Sequence, residues 1–305
     1  MRTYRQRLGH YFWLVSFLSL LPVLGLAALP PARLPDLSAL STTLLYRSGP
    51  VSPSSPNPDL ARIESPASDP VLPADLGNRA LVLCWHTFLG KPSVPTDFSL
   101  LEFGAQLDAI RGLGYRFISV EDFLAGRIEG ALNVIVTIDD GHRTVPLAIH
   151  QVLEPRGIAA TLFVYPSILG TTDFAMSDTT LALLARSGVV VGAHGYHHLF
   201  VTEALFKEDP KAFMDEIHKS KLKSESLSTR FVLTYAYPYG ALSPRTKSEV
   251  RRAGFSAAFA VKPGFVYARR GLNDEYELPR LVVTRDGWKP ILALLARNAG
   301  IFPPP

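Results

Sequence analysis

The feature that most constrains this chain is a series of short, continuously apolar runs, each followed by a longer stretch with helical spacing. The runs fall at residues 80–85, 116–120, 133–138, 160–164, 189–193, 232–237, 257–261 and 281–284. A strand with one wet face alternates apolar and polar residues. A strand covered on both faces has no need to, and most of these runs do not alternate, so they predict a parallel sheet sandwiched by helices. The first helix should open at "SLLE", with Ser99 as N-cap and Glu102 closing a capping box. Phe103, Leu107 and Ile110 then recur at helical spacing, and Gly112 and Gly114 end it. Further helices are expected over 145–156, 178–187, 202–227, 243–253 and 288–298. Strand and helix alternating over some two hundred residues specify an α/β fold. Such units close into a barrel or lie open as a doubly wound sheet. No glycine-rich phosphate loop follows the first run, so the dinucleotide-binding form of the open sheet has no support.

The first 78 residues read differently. Arg2, Arg5 and Arg7 precede an uncharged run over 11–29, the pattern of an export signal. The run is longer than a usual cleaved core and near the roughly 20 residues that span a bilayer. A cleaved signal peptide and a retained anchor both remain open, the latter holding the protein to the membrane through residues 11–29. Either way, the positive flank predicts that the rest of the chain is extracytoplasmic, in the periplasm or at the cell surface. Residues 30–78 are rich in Pro and Ser, without period, and read as a flexible linker. Residues 79–305 then form the globular domain.

Composition narrows the function. A formal charge of +4 on 305 residues, with no basic block interleaved with aromatics, gives no case for nucleic acid. The five lysines between Lys207 and Lys223 are mixed with Glu208, Asp209, Asp215 and Glu216 and read as a solvated helix face. The single cysteine, Cys84, excludes an intrachain disulfide and reads as a buried structural thiol.

In α/β barrels the chemistry gathers where strands end. The third run drives into "VTIDDGH", two adjacent carboxylates and a glycine. The fifth ends in "AHGYHH", with His194 and His198 at metal-ligand spacing and His197 beside them. The sixth ends in "YPYG" with Pro238, Tyr239 and Gly240. Singly, each reads as a turn. Together, Asp140, His194 and His198 form a three-ligand set suited to Zn²⁺ or a similar divalent ion, with positions left for water and substrate. Asp139 would then stand beside that water as a general base.

These residues, in this order, resemble the polysaccharide deacetylase family, the NodB-homology domain of carbohydrate esterase family 4. "TIDDG" resembles its T-F-D-D-G, "HGYHH" its H-[ST]-x-x-H, and "YPYG" its R-x-P-Y-G region. "LVLCWHTFLG", "GLGYRFISVEDF" and "ELPRLVV" are similar to its exported poly-N-acetylglucosamine deacetylase branch. The resemblance implies a distorted (β/α)₇ barrel and a metal-dependent removal of acetyl groups from an N-acetylated glycan. The metal would be Zn²⁺ foremost, with Co²⁺ or Ni²⁺ as alternatives. It implies Asp139 as base, Asp140, His194 and His198 as metal ligands, and the Tyr239 backbone N–H as an oxyanion donor. The chain departs from the family at three points. Gly195 stands where a Ser or Thr is usual, and Tyr196 is expected to fill the space. Ala236 stands where many members have an Arg orienting the base, and Arg280 is expected to supply that charge, with a surface salt bridge as the plainer alternative. No histidine follows His218, so the general acid falls to His86, against a structural role capping the barrel mouth. His142 is expected to be a supporting or surface residue. A non-catalytic carbohydrate-binding protein on the same barrel is the competing reading, and an amide hydrolase of small molecules a third.

Overall fold

A computed structural model describes residues 77–268 and 271–301. Nine strands occur there: β1 Arg79–Trp85, β2 Arg116–Ile118, β3 Asn133–Asp140, β4 Ala160–Val164, β5 Val190–Ala193, β6 Thr234–Ala236, β7 Ala257–Val261, β8 Val266–Tyr267 and β9 Leu278–Val282. Seven of them, in the order β1-β3-β4-β5-β6-β7-β9, pair in parallel, and β9 returns to β1 to close a barrel. β2 extends β3 in parallel outside the ring, and the short β8 lies antiparallel on β1. The ring is distorted at one joint. β5 and β6 share a single paired position, Ala193 with Tyr235. Closure settles the choice between barrel and open sheet.

The helices are α1 Leu100–Gly112, α2 Val120–Leu124, α3 Val145–Ala148, α4 Asp178–Arg186, α5 Glu203–Glu208, α6 Pro210–Met214, α7 Ser220–Ser228, α8 Pro244–Arg252 and α9 Trp288–Asn298. α3 runs on through a π-turn, Ile149–Leu153, and a 3₁₀ turn, Glu154–Arg156; a second π-turn, Asp215–Lys219, joins α6 to α7. The capping box at α1 forms as its sequence dictates: Ser99 Oγ accepts from the Glu102 N–H at 3.1 Å, and Glu102 Oε2 accepts from the Ser99 N–H at 2.7 Å.

Several boundaries differ from the sequence reading, three of them by more than the end of an element. The helix expected over 202–227 is broken, because Pro210 has no N–H to continue α5. Asp209 instead caps α6, its Oδ1 accepting from the Ala212 N–H at 2.9 Å. The last strand begins at Leu278 rather than 281, so Arg280 lies inside it. The run at 116–120 yields a strand only to Ile118, after which Ser119 caps α2.

Side chains alternate across each strand. Leu81, Leu83, Trp85, Val134, Val136 and Ile138 face outward into the layer shared with the helices. Val82, Ile135, Phe163, Ala236, Phe259 and Leu278 belong to the interior cluster. A methyl on Gly192 would lie 2.3 Å from the Phe163 ring, so glycine on β5 is what lets that ring fill the barrel. One step further along the same inward rows come Cys84, Thr137 and Arg280, and then His86, Asp139 and His194 at the C-terminal mouth. The parity that fills the bottom of the barrel with carbon therefore brings the polar side chains together at its top. Cys84 is buried there, as expected of it. Residues 11–29, expected to direct export, and most of the expected linker over 30–78 lie outside the described residues. Among the described residues, no helix is long and apolar enough to cross a membrane.

Candidate active site

Asp139 and Asp140 are neighbours, so regular strand geometry would send them to opposite faces. The chain solves this with backbone strain. Asp140 has φ 73°, a left-handed conformation that turns its carboxylate back toward the mouth. His198 (φ 63°) and Tyr239 (φ 59°) share that conformation. Among the described residues only four non-glycine positions do, and Thr229 is the fourth. Such strain costs about 1–3 kcal/mol per residue and collects at functional sites. Three of four instances at one barrel mouth mark this cluster out.

The distances are short. Asp140 Oδ1 lies 3.6 Å from His194 Nε2 and 3.5 Å from His198 Nε2, and the two Nε2 atoms are 3.2 Å apart. His194 Nδ1 is 2.8 Å from the Ala236 carbonyl, so it carries the proton donated there, and Nε2 offers a lone pair to the cluster. Burial pushes both histidines down to about 4, so both are neutral at ordinary pH. Asp140 Oδ1 is buried and accepts no hydrogen bond. A carboxylate oxygen and two imidazole nitrogens converge with little hydrogen between them, an arrangement a cation would stabilise. The spacing fits one: tetrahedral bonds of about 2.0–2.1 Å set ligand atoms roughly 3.3 Å apart.

Asp139 lies on the inner side of this trio, its Oδ2 3.4 Å from His194 Nε2. Arg280 clamps it in two bonds, Nη1 to Oδ1 at 2.6 Å and Nη2 to Oδ2 at 2.7 Å, and Nη1 also donates to Thr137 Oγ1 at 3.3 Å. Arg280 is 1% exposed, which disposes of the surface salt bridge as an alternative. Burial alone would raise the Asp139 pKa. The Arg280 guanidinium, bonded to both oxygens, outweighs it and holds the carboxyl well below the usual range. Cys84, His86 and Asp139 each bring a heteroatom within 4.8 Å of the others. His86 is half-buried, and its Nδ1 is buried without a partner. His142 is buried rather than surface-facing, its Nδ1 2.8 Å from Thr144 Oγ1 and its ring edge-on to Phe174.

Tyr239 sits in the short turn Pro238–Gly240, where no preceding helical carbonyl faces its N–H. Tyr239 is 57% exposed, and its ring stacks on Phe200 with centroids 4.1 Å apart and tilts against the His198 ring at 4.4 Å. The sequence reading missed one residue entirely. Glu216, taken for part of a solvated face, is fully buried beneath the His194–His198 turn. It occupies the space beside Gly195 that Tyr196 was expected to fill. Tyr196 instead meets His197 edge-on and lies under the Lys219 ammonium. The helical period could have revealed Glu216: it shares a face with Ala212, Phe213, Ser220 and Ser224, all small or apolar.

Comparison with known proteins agrees with this geometry. The family model described as polysaccharide deacetylase matches residues 129–258, which carry the strand ends of β3, β5 and β6. IcaB from Ammonifex degensii is 32% identical, with 72% of this chain and 97% of that chain aligned at a TM-score of 0.62. Two more distant structures share the fold. The Streptococcus pyogenes deacetylase PplD, in complex with acetate, is 17% identical (TM-score 0.62; 72% and 99% covered), and a de-N-acetylase from Aggregatibacter actinomycetemcomitans is 16% identical (TM-score 0.56; 68% and 95% covered). No curated protein gives a significant match. The barrel, the strand-end residues and the identity to a solved relative over nearly its whole length together make the chain a member of the polysaccharide deacetylase family.

Proposed function

We propose that the protein hydrolyses N-acetyl groups on an N-acetylglucosamine-containing glycan, releasing acetate, with a divalent metal at the barrel mouth. The observation that carries this is the convergence of Asp140 Oδ1 with two imidazole Nε2 atoms within 3.6 Å, next to a second carboxylate that Arg280 keeps charged. Asp140, His194 and His198 are the residues that would hold the ion, zinc foremost, with cobalt or nickel as alternatives. When bound, such an ion supplies a Lewis acid for the acetamide carbonyl and makes water far more acidic than bulk. That second effect matters for Asp139. A carboxylate held so low is a weak base, and it takes a proton only from an activated water. Arg280 fixes the carboxylate's direction as well as its charge. The Tyr239 N–H serves as the donor to the oxygen that gains negative charge during attack. His86, beside Asp139, is the group that passes a proton to the leaving amine. The exposed Phe200–Tyr239 pair offers an aromatic floor for a sugar ring at the mouth. The basic-then-apolar N-terminus supports action outside the cytoplasm, where envelope glycans lie.

The test is acetate release from N-acetylglucosamine oligomers by the native chain and by Asp139→Asn. Turnover should fall about 10²–10⁴-fold, the usual worth of a general base, while zinc remains bound. Undiminished turnover would remove Asp139 from the chemistry. Zinc retention without acetate release from any N-acetylated glycan by the native chain would turn the reading toward carbohydrate binding.

A further inference from the structure

The turn between His194 and His198 is held from below by a carboxylate from another element. Glu216 comes from the π-turn Asp215–Lys219, and it is 0% exposed. Its Oε1 accepts from the His197 N–H at 2.6 Å. Its Oε2 accepts from the Tyr196 N–H at 3.2 Å and the Leu199 N–H at 3.1 Å. Ser220 Oγ, one helical turn on, donates to the Gly195 carbonyl at 2.7 Å. Gly195 is part of the same fit: with φ 75°, a Cβ there would lie 2.3 Å from Glu216 Oε2. Successive N–H groups in a turn of left-handed residues form a concavity that binds anions. Here the acceptor is a carboxyl group supplied from within the chain.

We infer that Glu216 is a positioning residue for the metal ligands, fixing the left-handed His198 and hence the meeting of its Nε2 with that of His194. Three donors converging on two oxygens require a carboxylate. A glutamine in its place has one oxygen, and its NH₂ would face a backbone N–H. Glu216 lies within a π-turn, and such insertions recur at functional sites. The inference rests on the proposal that Asp140, His194 and His198 bind a metal, and it adds the device that preorganises them. Outer partners of metal ligands are typically worth about 10–100-fold in affinity.

The experiment measures the zinc dissociation constant of the full chain by competition with a chromophoric chelator, alongside the melting temperature of the metal-free chain. Glu216→Gln should weaken zinc binding by about 10–100-fold. Gly195→Ala, which leaves the carboxylate in place but displaces it, should weaken binding in the same direction, so the outcome does not hang on one variant folding. Glu249→Gln is the control. That carboxylate is also buried in this helical layer, but it serves His218 and Arg252 rather than the turn, and its loss should leave zinc affinity unchanged. Native-like zinc affinity in Glu216→Gln and Gly195→Ala would overturn the inference, as would a drop in melting temperature with no change in affinity. A native chain that binds no zinc would overturn the metal reading itself, and this inference with it.

Discussion

At the scale of single residues, the ion pair between Arg280 and Asp139 carries the largest electrostatic consequence. Both side chains are buried and joined by two short bonds. Removing one partner of such a pair leaves an uncompensated charge and costs about 3–5 kcal/mol. Arg280→Met should therefore lower the unfolding free energy from urea titration by that much and, by releasing the Asp139 pKa upward, move the acid limb of the kcat/KM profile to higher pH. A profile unmoved in pH would mean that Arg280 does not set the charge of Asp139. The same pair illustrates how far the sequence could be read. Asp139, Asp140, His194 and His198 were legible because strand ends concentrate them within short motifs. Arg280 was legible as a candidate only, because its partner stands 141 positions away and nothing local distinguishes a buried arginine from a surface one. Glu216 was hidden by its neighbours. A glutamate amid five lysines looks solvated until the period of Phe213, Ile217, Ser220 and Ser224 is set against it.

At the scale of elements, local signals were reliable where they acted through the nearest turn and failed where tertiary pairing decided. The capping box at α1 and the barrel strands β4 and β7 fall where the sequence placed them. β9 begins three residues before the apolar run at 281–284, and although Pro279 has no N–H to donate, the strand pairs on both sides, with Ala260 opposite the proline. The α1 cap also does more than close a helix. Glu102 accepts from Arg285 at 2.8 Å and 3.2 Å, which ties the helix start to the segment after β9. Those Arg285 bonds, with the Ser99 N–H, bring the Glu102 pKa down to about 2. Its folded pKa lies below the unfolded one, so the stability it confers is full above about pH 4.5 and is lost as pH falls toward 2. The side chain is 43% exposed, so solvent screening limits its worth. Glu102→Gln should cost about 1 kcal/mol at pH 7, and the two chains' urea midpoints should converge as pH is lowered through that window. A gap that persists at pH 2 would assign the cost to something other than the charge.

At the scale of the whole molecule, parity sorts carbon from chemistry along one barrel axis. The apolar runs dictated a buried parallel sheet, but they could not dictate closure. That depends on β1 pairing with both β3 and β9, strands about 50 and 200 residues distant, and a periodicity argument leaves barrel and open sheet equally good. Closure has an energetic corollary for the site. The interior cluster of Val82, Ile135, Phe163, Phe259 and Leu278, and the outer layer around Trp85 and Phe103, contain none of Asp140, His194 or His198. These apolar layers run from the barrel interior to its helices, so a bound ion is expected to add stability by mass action rather than by nucleating the fold. At a hundredfold excess over its dissociation constant, an ion contributes about 2.7 kcal/mol, which for a domain of this size corresponds to a shift of about 5–10 °C in Tm. Chelation should lower Tm by that margin, preserve a single cooperative transition, and be reversed by zinc. Collapse of the transition on chelation would instead make the ion structural, and the strained left-handed backbone at Asp140, His198 and Tyr239 would then be held by the metal rather than prepared for it.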